Sequence, residues 1–228
     1  MKCEVLSLGG SVIFPKSKDD IDIEYLKKFT ALLRSCKDKK FIIVTGGGWI
    51  ARKYIRALKE AGASQKECCL IGIGVTKLNA LFLAKFANQD AAPTVPSSVK
   101  EIKKLLEKYR IVFVGGLSYE ENNTSDGTAA KIAHVLKTDF INITDVPGLY
   151  TKDPRKYNDA DIIRKISFEK FDALVANMDY HPGQHFVLDQ EAAKIIKKYR
   201  IKTMILGRDI GNIRNCLKNK PFEGTIIS

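Results

Sequence analysis

The chain has 228 residues and 45% of them are hydrophobic, enough to bury a substantial core and too apolar for wholesale disorder. Its 38 lysines and arginines outweigh 26 acidic residues, giving a formal net charge of +12. That surplus suits an anionic partner, and because the lysines are scattered without a basic tail it favours nucleotide phosphates over nucleic acid.

The five cysteines are Cys3, Cys36, Cys68, Cys69 and Cys216. An odd count with no C-x-x-C pair argues against a disulfide framework and a zinc site, and fits a reducing cytoplasm. The N-terminus has no signal-peptide pattern, and no stretch approaches the roughly 20 apolar residues of a membrane span. A soluble protein is expected.

In chain order, Val5-Leu6-Ser7-Leu8 reads as a short strand stopping at Gly9-Gly10-Ser11. Ile23, Leu26, Phe29, Thr30 and Leu33 recur at helical spacing and predict a helix over Ile23–Arg34. Phe41-Ile42-Ile43-Val44 is a fully apolar strand closed by Thr45-Gly46-Gly47-Gly48. Ile50, Tyr54, Ala57, Leu58 and Ala61 then line one helical face, with Gly62 as a natural stop. Helices follow over Val75–Ala87 and Val99–Tyr109, and Ile111-Val112-Phe113-Val114 repeats the strand-then-glycine device at Gly115-Gly116. Ala130, Ala133 and Leu136 begin another helix, and Phe140–Ile143 follows as a strand. Ala192–Tyr199 is helical, and Thr203–Leu206 and Thr225–Ile227 complete the strands.

Apolar strands alternating with helices predict an α/β fold, an open and mainly parallel sheet sandwiched by helices. The whole chain, 1–228, reads as one domain. Its polar stretch Tyr150–Asp161 is the candidate break between two lobes.

Three strands therefore end in glycines, at Gly9-Gly10, Gly46-Gly47-Gly48 and Gly115-Gly116. In a parallel sheet such ends share one edge, and glycine lets backbone N–H groups approach an anion without a Cβ in the way. Three such turns point to a polyphosphate, although each alone could serve only a tight strand–helix connection. The spacing matches neither the dinucleotide fingerprint nor a P-loop.

These segments resemble the amino acid kinase superfamily, and within it the archaeal type of UMP kinase. The similar stretches are Leu8–Ser11, Val44–Gly48 with Ile50–Ile55, Ile71–Ile73 with Thr76–Ala80, and Gly115-Gly116 followed by Thr124–Gly127. Ile143–Tyr150 with Asp153-Pro154, and Asp189 leading into Ala192–Ile196, complete the series in order along nearly the whole chain.

The resemblance implies transfer of a phosphoryl group from ATP to UMP, with Mg²⁺ held mainly through the phosphates. It further implies a place in pyrimidine nucleotide biosynthesis, in the cytoplasm, and assembly as a homohexamer. The N-terminal lobe, about 1–145, would hold the acceptor and the C-terminal lobe, about 146–228, ATP. By the same resemblance Ser7, Leu8, Gly9, Gly10, Ser11, Gly48 and Arg52 would hold the ATP phosphates. Thr144, Tyr150 and Asp153 would line the adenine and ribose pocket. Gly47 and the loop Leu117–Ser125, with Leu117, Ser118, Thr124 and Ser125, would hold UMP. Asp126 matches the aspartate that organises the phosphate-binding groups, and Asp126 and Arg52 are the expected catalytic residues.

Three departures fall within this pattern. Ser7 stands where many superfamily members carry a lysine, so another cation must serve, with Arg52 ahead of Lys16 or Lys18. Cys69 occupies the place of an aspartate that binds the nucleotide ribose. The loop Leu117–Asn123 lacks the usual Pro-Gly and carries Glu120 and Glu121. An acceptor other than UMP, or a non-catalytic nucleotide sensor or nucleic-acid binder, are the alternatives.

Blander roles stand beside several of these. Asp126 would also suit a helix N-cap, and Thr144 and Asp145 a turn. Tyr150 and Trp49 would suit packing. His181 and His185 have metal-pair spacing, but the intervening Pro182-Gly183 favours a loop.

Overall fold

The computed structural model describes residues 1–15, 20–120, 124–152, 154, 157–176 and 188–228. Two of the most apolar segments, β1 (Lys2–Leu8) and β2 (Lys39–Thr45), pair in parallel, with Val5 opposite Ile42 and Leu8 opposite Thr45. On the far side of β2 lies β3 (Ile111–Val114), and on the other side of β1 lies β4 (Phe140–Ile143), both parallel. The sheet continues through β6 (Thr203–Leu206) and β7 (Thr225–Ile227) to β5 (Lys165–Ile166), in the order β3-β2-β1-β4-β6-β7-β5. Of the strand pairings in this sheet, β6–β7 is the antiparallel one among the described residues. Successive strands run outward from β1 in one direction, and the chain then returns to β1 to start in the other. That reversal between β1 and β4 opens a crevice at their carboxyl ends.

Side chains alternate across each strand, and the sheet is buried on both faces. Val5, Val44, Val114 and Ile205 face one layer, with α5 (Val99–Lys108), α6 (Ser125–Leu136), α7 (Phe168–Ala176) and α8 (Gln190–Tyr199). Leu6, Leu8, Ile43 and Phe113 face the other, with α2 (Ile23–Ser35), α4 (Gln65–Ala87) and α9 (Ile210–Leu217). The spaced apolar residues of α2, Leu26, Phe29 and Leu33, are completely buried, and each contributes about 1.5–3 kcal/mol relative to exposure.

Several elements extend or change what periodicity predicts. Helix α4 starts ten residues before Val75, at a capping box in which Ser64 and Glu67 bond each other's backbone N–H. Its 23 residues, continued to Asp90, make one helical stretch long and apolar enough to cross a membrane, contrary to the expectation of none. The apolarity has a local cause: Val75, Ala80, Leu83, Ala84 and Ala87 pack into the protein, and Thr76 and Asn79 bond the strand-end loops.

In α3 (Gly48–Glu60) the apolar face is not core. Ala51 is its buried residue, and Tyr54 is 55% exposed. Helices α7 and α9, the two-residue strand β5 and the four-residue α1 (Gly10–Ile13) complete the fold. Tyr150 and Ile162 pair in a short antiparallel bridge, and the sheet continues from β4 to β6.

Candidate active site

The end of β1 and the end of β2 are fastened together. Gly46 N–H donates to the Leu8 carbonyl at 3.0 Å, and Gly9 N–H donates to the Ile143 carbonyl of β4 at 3.1 Å. Gly10, which opens α1, and Gly48, which opens α3, meet backbone to backbone. A Cβ on Gly10 would lie 2.5 Å from the Gly48 Cα, and one on Gly46 would lie 2.7 Å from the Gly10 nitrogen. Gly48 also adopts φ +63°, a left-handed conformation that side chains disfavour.

The third glycine turn reaches the same cleft at Gly116 and has a steric purpose besides. Gly116 N–H donates to Thr76 Oγ1 at 2.8 Å, and a Cβ on Gly115 would lie 2.6 Å from the Lys77 nitrogen. Gly115-Gly116 is therefore close-packed against α4, with the Gly116 donor already used. Helix α4 also braces the second turn: Asn79 Nδ2 donates to the Gly46 carbonyl at 2.8 Å, and Thr45 Oγ1 donates to the Thr76 carbonyl at 2.8 Å. The Thr76–Asn79 stretch earns its place in the sequence pattern through these bonds.

Over the joined turns lies a cleft of about 440 Å³. Of the residues singled out from sequence, Gly9, Gly10, Ser11, Gly47, Gly48, Arg52, Ser118, Thr124, Ser125, Asp126 and Thr144 line it. Ser7 is 1% exposed and lies beneath, on the face of β1 shared with Val5, where α6 packs. Leu8 points the opposite way into the core and offers only its backbone. Leu117 packs against the core, and Tyr150 lies at the 150–162 bridge; neither lines the cleft. Asp153, Lys16, Lys18, His181 and His185 lie outside the described residues.

Asp126 sits in the first turn of α6, and Ser7 Oγ donates to its Oδ1 at 2.7 Å. The cap of that helix is Thr124, whose Oγ1 accepts from Gly127 N–H at 2.9 Å, so the N-cap role proposed for Asp126 belongs to Thr124. Burial pushes the Asp126 carboxyl up from 3.8 to about 7, the charge of Asp189 adds to the rise, and the Ser7 hydroxyl opposes it. Asp189 is itself raised by burial, against hydrogen bonds from the Thr124 side chain and the Ala192 and Glu191 N–H groups.

Sequence reasoning missed several lining residues: Ile55, Gly72, Ile73, Thr76, Thr128 and Asn142. Most lie on helices whose cleft-facing side becomes defined only once α3 and α4 pack together. Cys69 and Glu120 also line the cleft. Glu120 also pairs with Lys131 of α6. Among the described lining residues, Arg52 is the one cationic side chain, against Asp126, Glu120 and Asp145. The Trp49 ring, beside the second turn, lies under the Lys53 ammonium at 3.9 Å.

Joined glycine turns at the switch point of an open α/β sheet, with Asp126 lining the same cleft, mark a protein of the doubly wound class with a candidate anion site. The family model described as the amino acid kinase family matches residues 2–207. A uridylate kinase from Thermoplasma volcanium is 39% identical over 224 residues, covering 98% of this chain and 96% of the relative. The uridylate kinase of Archaeoglobus fulgidus is 36% identical over 226 residues, and its crystal structure superposes with a TM-score of 0.85 over the full length of both chains. A UMP kinase structure from Bacillus anthracis, at 21% identity, shares the fold with a TM-score of 0.82. The chain belongs to the amino acid kinase family.

Proposed function

We propose that this chain transfers the γ-phosphoryl group of ATP to UMP, giving ADP and UDP. The observation that carries the proposal is a single cleft lined both by the joined Gly10 and Gly48 turns and by Asp126, whose carboxylate accepts from Ser7 of β1. The uridylate kinase names of relatives matching 96–99% of their own length support the acceptor.

Phosphoryl transfer asks the protein for positioning and charge stabilisation more than for covalent chemistry. Backbone N–H groups of the first two turns other than those of Gly9 and Gly46, which already bond Ile143 and Leu8, would hold the ATP phosphates together with Ser11 and Arg52. Thr144, Tyr150 and Asp153 would hold the nucleoside, in the C-terminal part of one 1–228 domain. Gly47, Ser118, Thr124 and Ser125 would hold the UMP phosphate so that its oxygen attacks the γ-phosphorus as ADP leaves. Asp126, oriented by Ser7, would fix the donors around the transferred group. Arg52 takes the cationic role at the phosphates.

Among the described residues no three His, Cys, Asp or Glu side chains are grouped as a metal site. Mg²⁺ would be carried mainly by the phosphates, with Asp126 of the cleft as an acceptor for its waters. When bound, the ion neutralises charge shared between donor and transferred phosphates.

The enzyme would act in the cytoplasm, in pyrimidine nucleotide biosynthesis. Exposed Tyr54 on α3 and Leu70, Ile71, Leu78 and Leu81 on α4 form an apolar surface that suits further copies of the chain, consistent with a homohexamer. Leu78→Asp would then reduce the mass measured by light scattering.

Purified protein, ATP and Mg²⁺ incubated with a panel of nucleoside monophosphates and small phosphates tests the proposal. UMP is expected to be the preferred acceptor. Equal or better turnover of another acceptor would favour the second reading, for which Cys69 and Glu120 at the acceptor end speak. ATP binding without turnover of any acceptor would mark a sensor.

A further inference from the structure

One side chain of α4 stands between the second and third glycine turns. Thr76 is buried and lines the cleft. Its Oγ1 donates to the Ile73 carbonyl of its own helix at 2.7 Å and accepts from Gly116 N–H at 2.8 Å. A hydroxyl has one proton, and committing it to Ile73 turns a lone pair toward Gly116. The methyl Cγ2 stands 3.7 Å from the point that a Cβ on Gly47 would occupy. The Thr76 carbonyl accepts from Thr45 Oγ1 at the end of β2. Strand, second turn and third turn thus meet at one residue.

Helix packing alone does not call for threonine here. Valine has the same branched shape and a similar helix propensity. What valine lacks is the hydroxyl, and with it the partner of a buried backbone N–H.

Gly116 is also the root of a loop. The chain leaves it toward Ser118 and Glu120 and is back in the cleft at Thr124 and Ser125, where Thr124 caps α6. The far end is fixed by that cap. The near end is fixed by Thr76, on the helix that also braces the second turn through Asn79.

We propose that Thr76 is a positioning residue for the phosphoryl acceptor: its hydroxyl sets the direction in which the loop leaves Gly116, and so holds Ser118 in register with the second turn. The kinetic arm rests on the phosphotransferase reading, whereas the Gly116 bond is measurable without turnover.

Loss of the hydroxyl should be felt by one substrate. In that reading the ATP phosphates lie on the first two turns, which are joined by the Gly46–Leu8 bond and the Gly10–Gly48 contact without help from Gly116. The acceptor lies against the loop. A loop freed at its root weakens acceptor binding and leaves ATP binding as it was.

The test uses Thr76→Val, which keeps the branched shape and removes the hydroxyl, and Thr76→Ser, which keeps the hydroxyl, both in the full chain. With ATP and UMP varied in turn, Thr76→Val should raise KM for UMP on the order of 10- to 100-fold and change KM for ATP by less than about twofold. Thr76→Ser should stay close to the parent. Hydrogen exchange at the Gly116 amide, followed by nitrogen-15 NMR without substrates, should be roughly tenfold or more faster in Thr76→Val and parent-like in Thr76→Ser.

Unchanged Gly116 exchange in a folded Thr76→Val protein overturns the proposal, as does faster exchange with KM for UMP unaltered. Equal rises in both KM values, or a loss in Thr76→Ser as large as in Thr76→Val, would make Thr76 mere scaffold and refute the positioning role. Should Thr76→Val not fold, Thr76→Ala gives the same readouts, since it removes the hydroxyl without setting a methyl against the Gly116 N–H. A parent that prefers another acceptor defeats the UMP assignment alone, and the KM for that acceptor then decides the role of Thr76. A parent with no turnover defeats the phosphotransferase reading, and the exchange rates still uphold or overturn the Gly116 anchor.

Discussion

Gly10 and Gly48, from the ends of two neighbouring strands, touch through their backbones, with no room for a side chain on Gly10. The contact turns two separate loops into one surface of main-chain amides. It also explains why both positions are glycine for reasons that precede any ligand.

A Cβ on Gly10 would have to push the second turn away, so Gly10→Ala should cost at least about 2 kcal/mol of stability and 100-fold or more in kcat. Gly62→Ala is the control. That residue has φ +83° with nothing within 4 Å of the new methyl, and should lose only about 1 kcal/mol with kcat unchanged. Urea melts and steady-state rates on the two variants check both statements.

Asp126→Asn should raise stability while abolishing turnover. In the folded chain Asp126 keeps its proton up to about pH 7, whereas the unfolded carboxyl releases it near 3.8. Folding thus takes up a proton between those limits, and Asp126 makes stability fall as pH rises through that window. The gain from asparagine should be absent below about pH 4 and reach roughly 1–3 kcal/mol by pH 8. Denaturant midpoints across that range measure it; a gain that shrinks with rising pH contradicts the assignment.

Asn79 holds the buried Gly46 carbonyl. Asn79→Leu leaves that acceptor without its donor and should cost about 1–3 kcal/mol. Because Gly46 carries the fused turn, the rate should drop as well. An unchanged melting midpoint would show that the carbonyl finds another donor.

Arg52 faces the cleft from the second turn of α3. Arg52→Lys keeps the charge and loses the planar fork, and should retain part of the activity, while Arg52→Ala should fall on the order of 10²–10³-fold in kcat. Equal losses in both variants would mean that geometry alone matters; no loss in either would assign the cation elsewhere.

Much of the molecule is written locally. Strands such as Ile42–Val44 and Ile111–Val114 are apolar on both faces because the sheet is covered on both faces, and their period-free runs announce it. The glycine turns were legible for the same reason. The role of Gly115-Gly116 was not, since only the packing of Lys77 and Thr76 against them reveals a steric purpose. Helix α9 hid behind Gly211 and two asparagines, whose propensities are poor, although Asp209 caps it by accepting from Asn212 N–H at 2.7 Å. The Ile50–Ala61 stripe is helical as its spacing predicts, yet Ala51 is the buried residue of that helix, because periodicity marks a face and not what covers it. Ser7, read as a missing lysine, could be joined to Asp126 only by a bond spanning 119 positions.

Helix α4 is narrow, with one side packed and the other bare. Inward it grips Gly46 and Gly116 through Asn79 and Thr76; outward, at the very next positions, it shows Leu78, 65% bare, and Leu81. Any neighbour that settles on those leucines grasps the same rod on which the glycine-lined cleft is hung. Quaternary contacts and the floor of the cleft are then a single helix diameter apart, and a change in one cannot be mechanically silent to the other.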